Sequence, residues 1–202
     1  WDGHTPQATA EVLAGELKKH NFEVRVENSL KPLEDLEALK RLSLIVPVWT
    51  MGELSKEQWE GLHQAVHAEG VGLGGVHGGM GDAFRGRVEY QWQLGGQFLG
   101  HPYVGEYTVY LTEADSPITR GLPKSFTYKS EQYYMGMDPA VKLLAYTPYE
   151  FEGQKCNMPV VWTKTWGKGR VFYSALGHRA EEFATYPAVL AMTTRGLLWA
   201  AR

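Results

Sequence analysis

The sequence predicts an α/β protein with a mostly parallel sheet, helices on both faces and an added antiparallel β region in the C-terminal half. Three observations carry that expectation. Short apolar runs of strand length, 44–48 and 71–76, alternate with amphipathic helical patterns joined by short loops, as right-handed βαβ units do. The second run breaks into a glycine turn, Gly74-Gly75-Val76-His77-Gly78-Gly79-Met80-Gly81, which places His77 at the carboxyl end of a buried strand. From Tyr103 onward the signals turn to strand alternation and turn residues.

In chain order, Thr5 fits an N-cap and Pro6 a first helical position. Ala10, Leu13, Ala14 and Leu17 then keep helical spacing through Lys19. Phe22, Val24 and Val26 alternate as in a strand, and Pro32 opens a short helix carrying Leu33, Leu36 and Leu39. Residues 44–48 read as a second strand with its proline near the end. Ser55 and Gln58 have capping-box spacing, and Leu54 with Trp59 fits a hydrophobic staple. Trp59, Leu62 and Val66 form that helix's buried stripe, and Gly70 ends it.

After Gly81 a helix is expected to start at 82–84, and another to run over 90–98 with a break at Gly95-Gly96. Strands follow near 107–111, 126–128 and 141–146. A hairpin joins 160–166 to 170–174 through Gly167-Lys168-Gly169. Pro187 opens a closing helix. No repeat or linker divides residues 1–202, so one domain is expected. The first helix has no strand before it, although the βαβ pattern asks for one. That strand is expected to be upstream or lacking.

The bulk composition excludes several function classes. Net charge −3 and pI near 6.2 leave no basic footprint for nucleic acid. No apolar run reaches membrane-spanning length and no signal peptide is visible, so no membrane partner is expected. The lone Cys156 rules out an internal disulfide framework and agrees with a reducing cytoplasm. At a hairpin tip without a nearby His, it makes a poor nucleophile. The glycine turn lacks both dinucleotide and Walker spacing, so no nucleotide cofactor is expected. His63 and His67 have i, i+4 spacing but no metalloprotease signature, and a half-buried helix face accounts for them.

Four polar residues fall near loop ends on this layout: His4, His77, Glu131 and His178. Three neutral imidazoles and a carboxylate suit a divalent transition metal, zinc first. The same set without metal suits acid–base work, with His77 and Glu131 as the proton-handling pair. Arg85, His101, Tyr133 and Trp162 are candidates for holding a ligand. The aromatic surface and strand edges suggest a homodimer.

Taken together these pieces resemble the trehalose-utilisation (ThuA-like) family, a branch of the class I glutamine-amidotransferase-like superfamily. The resemblance rests on Gly74-Gly75-Val76-His77-Gly78-Gly79, Gly100-His101-Pro102, Ser116-Pro117-Ile118-Thr119-Arg120-Gly121-Leu122-Pro123, and the stretch from Pro159-Val160-Val161-Trp162 to Leu176-Gly177-His178. It implies a flavodoxin-like sheet, usually with an upstream first strand. It also implies a role in catabolism of trehalose-type or 3-keto disaccharides, so a small sugar is the expected partner. Amidotransferases carry a nucleophilic cysteine at the elbow. Here His77 stands there, which leaves no thiol for glutamine hydrolysis through a thioester. Two readings follow: a sugar-processing enzyme using a metal or His/Glu acid–base chemistry, and a non-catalytic sugar-binding or regulatory module.

Overall fold

A computed structural model describes residues 1–202. A 3-10 turn, Asp2–His4, leads through Thr5 into α1 (Pro6–Lys19), which buries Leu13, Ala14 and Leu17. Pro6 starts the helix as expected, but Thr5 does not cap it. Thr5 sits at φ +44°, and its hydroxyl accepts the backbone N–H of Ala180 at 3.1 Å. The start of the chain is thereby tied to a segment near its end.

Residues 22–26 form no strand, which corrects the expectation from their alternation. Phe22 and Val24 pack on the core and Val26 stays exposed, but no neighbouring strand offers a hydrogen-bond ladder. A 3-10 turn, Lys31–Glu34, precedes α2 (Leu36–Leu39). β1 is only Leu44–Ile45. Beyond Ile45 the chain leaves the ladder, and Trp49 and Met51 donate instead to the carbonyls of Gly79 and Asp82. The capping box is realised at the start of α3 (Lys56–His67): Gln58 N–H donates to Ser55 Oγ at 3.1 Å, and Ser55 N–H donates to the Gln58 side chain at 3.0 Å.

β2 (Gly72–Val76) is buried throughout and runs into the short α4 (His77–Gly81). No helix starts at Asp82. α5 (Val88–Leu94) ends where Gly95 adopts φ +90°, and Gly96 already begins β3 (Gly96–Leu111), so Phe98 is a strand residue. β4 (Ser125–Met137), β5 (Lys142–Phe151), β6 (Gln154–Trp166) and β7 (Gly169–Ser174) follow, then α6 (Ala180–Thr185) and α7 (Pro187–Ala200). The β6–β7 turn has two residues, with positive φ at Gly167 alone, as a type II′ hairpin requires.

The seven strands form one mixed sheet in the order β1-β2-β7-β6-β5-β3-β4. Only β1–β2 and β2–β7 pair in parallel; the other four pairings are antiparallel. The expectation of a mostly parallel sheet is therefore corrected. Short turns at Glu152-Gly153 and Gly167-Lys168 oblige β5, β6 and β7 to run antiparallel to one another.

Helices cover both faces of the parallel part. A Cβ on Gly72 would meet Ala200 O at 2.2 Å, and one on Gly74 would meet Leu197 at 2.8 Å, so α7 lies against that face. α3 lies on the other, with Val66 against Gly169 of β7. The glycines that looked like a turn signal inside β2 thus serve close helix-on-sheet packing.

Candidate functional site

The site forms where β2 ends. His77 is the first residue of α4, fully buried, with φ +45°. A non-glycine residue in the left-handed region costs of order 1 kcal/mol or more, and it persists where surroundings over-determine it. Here both ring nitrogens face one strand. Glu131 and Tyr133 stand two apart on β4 and so share a face. The Tyr133 hydroxyl shares a 3.0 Å hydrogen bond with His77 Nδ1, and Glu131 Oε2 lies 3.6 Å from His77 Nε2. The His77 carbonyl is held as well, accepting the Tyr173 hydroxyl at 3.1 Å.

His4 arrives from the 3-10 turn. Its Nδ1 shares a 2.6 Å hydrogen bond with Thr50 Oγ1, which leaves Nε2 free. Gly78 makes this approach possible, since a Cβ there would lie 2.1 Å from His4 Cε1. His178 arrives from the loop between β7 and α6, and its Nδ1 is 3.2 Å from Glu131 Oε2. The three imidazoles meet edge to face, with centroids 4.8 Å (His4–His77), 5.2 Å (His4–His178) and 4.9 Å (His77–His178) apart. One ligating atom from each of His4, His77, Glu131 and His178 lies within 4.8 Å of the others. Four residues spread over the chain are thus brought together, as the sequence suggested.

The electrostatics favour neutral rings at His4 and His77 beside an ionised Glu131. Burial, then His178, lowers the pKa of His4 from its ordinary 6.5 to about 4. Burial, then His4 and His178, pushes His77 well below its ordinary value. For Glu131 burial works upward, but His178, His101 and His4 outweigh it and hold the carboxyl below its usual range. Burial keeps the Tyr133 phenol protonated far above its usual range. His77 Nε2 and His178 Nδ1 are buried and have no hydrogen-bond partner. Such orphans are rare in folded proteins.

A cleft of about 440 Å³ opens beside the cluster, lined by Trp1, Gly3, Val104, Ser130, Glu131, His178, Arg179 and Glu182. That is the size of a small-ligand site. Of the other sequence candidates, His101 stands exposed on an irregular stretch of β3, near enough to influence His77 and Glu131. Arg85 is half exposed and forked onto buried Asp82, at 2.5 and 2.8 Å. Trp162 is not at the site: it is fully buried, its indole N–H donates to Leu94 O at 3.0 Å, and it packs on Tyr173. Its place is the core, which corrects its candidacy. Thr50, Ser130 and Glu182 went unnoticed in the sequence. Only Ser130 carried a local signal, as the neighbour of Glu131.

The family model for trehalose utilisation matches residues 1–200. The chain belongs to the trehalose-utilisation family. Solved structures agree in fold. A ThuA-like protein from Bacteroides uniformis is 20% identical with a TM-score of 0.78, over 99% of this chain and 86% of that one. A ThuA-like protein from Parabacteroides merdae is 20% identical with a TM-score of 0.74, over 96% and 84%. A protein from Salmonella typhimurium, named as cytoplasmic, is 14% identical with a TM-score of 0.66, over 96% and 87%. No curated protein matches the chain. No helix is long and apolar enough to cross a membrane.

Proposed function

We propose that His4, His77, Glu131 and His178 form a divalent-metal centre, zinc by donor preference, that serves the processing of a trehalose-type or 3-keto disaccharide. The observation that carries this reading is the pair of orphaned nitrogens, His77 Nε2 and His178 Nδ1, both set around one oxygen of Glu131. Tetrahedral zinc with bonds near 2.1 Å has ligand–ligand edges of about 3.4 Å. The 3.6 and 3.2 Å separations at Glu131 lie on either side of that value. Neutral rings at His4 and His77 and an ionised Glu131 are also the protonation states a metal needs.

When bound, such an ion supplies Lewis acidity toward a sugar carbonyl or hydroxyl. The chain's own residues do the rest. Thr50 and Tyr133 hold the rings of His4 and His77 through their Nδ1 atoms, as partners of ligating histidines do. The indole of Trp1 and the polar groups of Ser130 and Arg179 wall the cleft where a sugar would lie. The depressed pKa of His77 suits a neutral ligand rather than a proton carrier, and Glu131, held below the usual carboxylate range, suits an anionic ligand in the same way. The parallel part of the sheet, helices on both faces, fits the flavodoxin-like kinship that the sequence implied. Cytoplasmic residence is supported by the Salmonella relative's name and by the exposed free thiol of Cys156. The free edge of β4, with exposed Tyr134 and Met137, supports a dimer.

The test is zinc stoichiometry together with turnover of 3-keto and unmodified disaccharides. One zinc per chain, lost in His77→Ala along with turnover, is expected. A wild-type protein that takes up no metal removes the centre. Disaccharide binding without turnover replaces the enzyme by the binding module.

A further inference from the structure

We propose that Glu182 is a positioning residue that holds two of the candidate ligands, Glu131 and His178, in register. This rests on the metal-centre reading above, but it concerns a carboxylate outside the ligand set. Glu182 lies on α6 and gathers three donors. Its Oε2 accepts the backbone N–H of His178 at 2.9 Å and the hydroxyl of Tyr128, and its Oε1 accepts Ser130 Oγ at 2.8 Å. Tyr128 passes the restraint on, because its hydroxyl accepts the backbone N–H of Gly177 at 2.9 Å. Two of these donors, His178 and Gly177, belong to the loop that carries His178. The other two, Tyr128 and Ser130, belong to the strand that carries Glu131.

The loop needs such a restraint. Gly177 turns at φ +88°, against the ring of Phe183, and residues 175–179 belong to no strand or helix. Glu131 has no hydrogen bond of its own to His178, despite the 3.2 Å approach. The separation between the two ligands is therefore set by the placement of the loop and of β4, and Glu182 bonds to both, to the loop through the His178 N–H and to the strand through the side chains of Tyr128 and Ser130. Three hydrogen bonds to one carboxylate, all from donors on buried or half-buried residues, make a stiff clamp. Outer residues of this kind change metal affinity about 10- to 100-fold when removed.

The test compares Glu182→Ala, Glu182→Gln and Ser130→Ala in the full chain, each checked for folding by its thermal midpoint. Zinc affinity is read by competition with a chromophoric chelator, well below that midpoint. Glutamine keeps an acceptor for the His178 side, and Ser130 can turn its hydroxyl to accept. The expected result is a loss of about 10- to 100-fold in Glu182→Ala, a smaller loss in Ser130→Ala and near wild-type affinity in Glu182→Gln. Equal affinity in Glu182→Ala and wild type overturns the proposal. An equal loss in Glu182→Gln and Glu182→Ala also overturns it, because charge then matters and position does not. If the wild type binds no zinc, the metal reading fails by itself. The clamp is then judged on metal-free crystal structures: a Glu131–His178 separation wider in Glu182→Ala than in wild type supports it, and an unchanged one overturns it.

Discussion

Single residues decide whether the cluster can exist. Gly78 is the clearest case, since a methyl group there would sit 2.1 Å from His4 Cε1 and 2.7 Å from Nδ1. His4 would have to leave or the backbone would have to shift. Gly78→Ala is expected to cost about 1–3 kcal/mol of stability by overpacking and to abolish tight zinc binding. An unfolding midpoint and a zinc titration check both. The depressed pKa of His4 has its own consequence for the metal-free protein. Between pH 6.5 and about 4 the unfolded chain holds a proton on His4 that the folded chain refuses. The unfolded state therefore binds more protons there, and stability falls as pH falls through that window. Glu131, lowered below its ordinary 4.5, adds in the same direction further down. Chelator-treated protein is expected to lose thermal stability steadily from pH 6.5 to 4, with a shallower slope in His4→Phe. A flat profile in the wild type would contradict the burial of that ring.

At the scale of elements, capping can be separated from function. Ser55→Ala removes the acceptor for Gln58 N–H at the start of α3, a bond that involves no residue of the cluster. It is expected to cost about 1 kcal/mol and to leave zinc affinity unchanged, which calorimetry and the same titration measure. That helix was legible in the sequence because its signals are local: a capping box, a stripe and a stop. β2 and its turn were legible for the same reason. Residues 22–26 were misread because alternation reports which side chains face inward, and says nothing of whether a partner strand is there. Gly95-Gly96 was misread as a break within one helix, although it is the seam between α5 and β3. The antiparallel run of the C-terminal half was legible in its turn signals, above all at Gly167-Lys168-Gly169, but not that its pairings would outnumber the parallel ones within a single sheet. At the site, His4, His77 and His178 could be picked out as polar residues at loop ends, whereas Glu131, expected at a loop end too, stands in the middle of β4. Thr50 and Glu182 could not, since their roles arise from contacts 46 residues apart to His4 and 54 apart to Tyr128.

Across the whole molecule, the four candidate ligands sit on four separate segments: the 3-10 turn at the start, the β2–α4 junction, β4 and the loop after β7. These belong to the parallel part of the sheet, to the antiparallel part and to the chain's beginning. An ion held by all four would join them, and the unfolded chain offers no such arrangement. Zinc bound there would therefore stabilise the fold by mass action, by about 2.7 kcal/mol at a free concentration a hundred times the dissociation constant. For a chain of about 200 residues each kcal/mol moves the midpoint by about 2–4 °C, so a rise of about 5–10 °C is expected on adding zinc to metal-free protein. The rise should vanish in each of His4→Ala, His77→Ala, Glu131→Ala and His178→Ala. A site completed by only two or three of the residues would leave at least one variant responsive. Differential scanning fluorimetry on the five proteins, with and without zinc, distinguishes a ligand set that spans the molecule from a local pair of histidines that happens to bind metal.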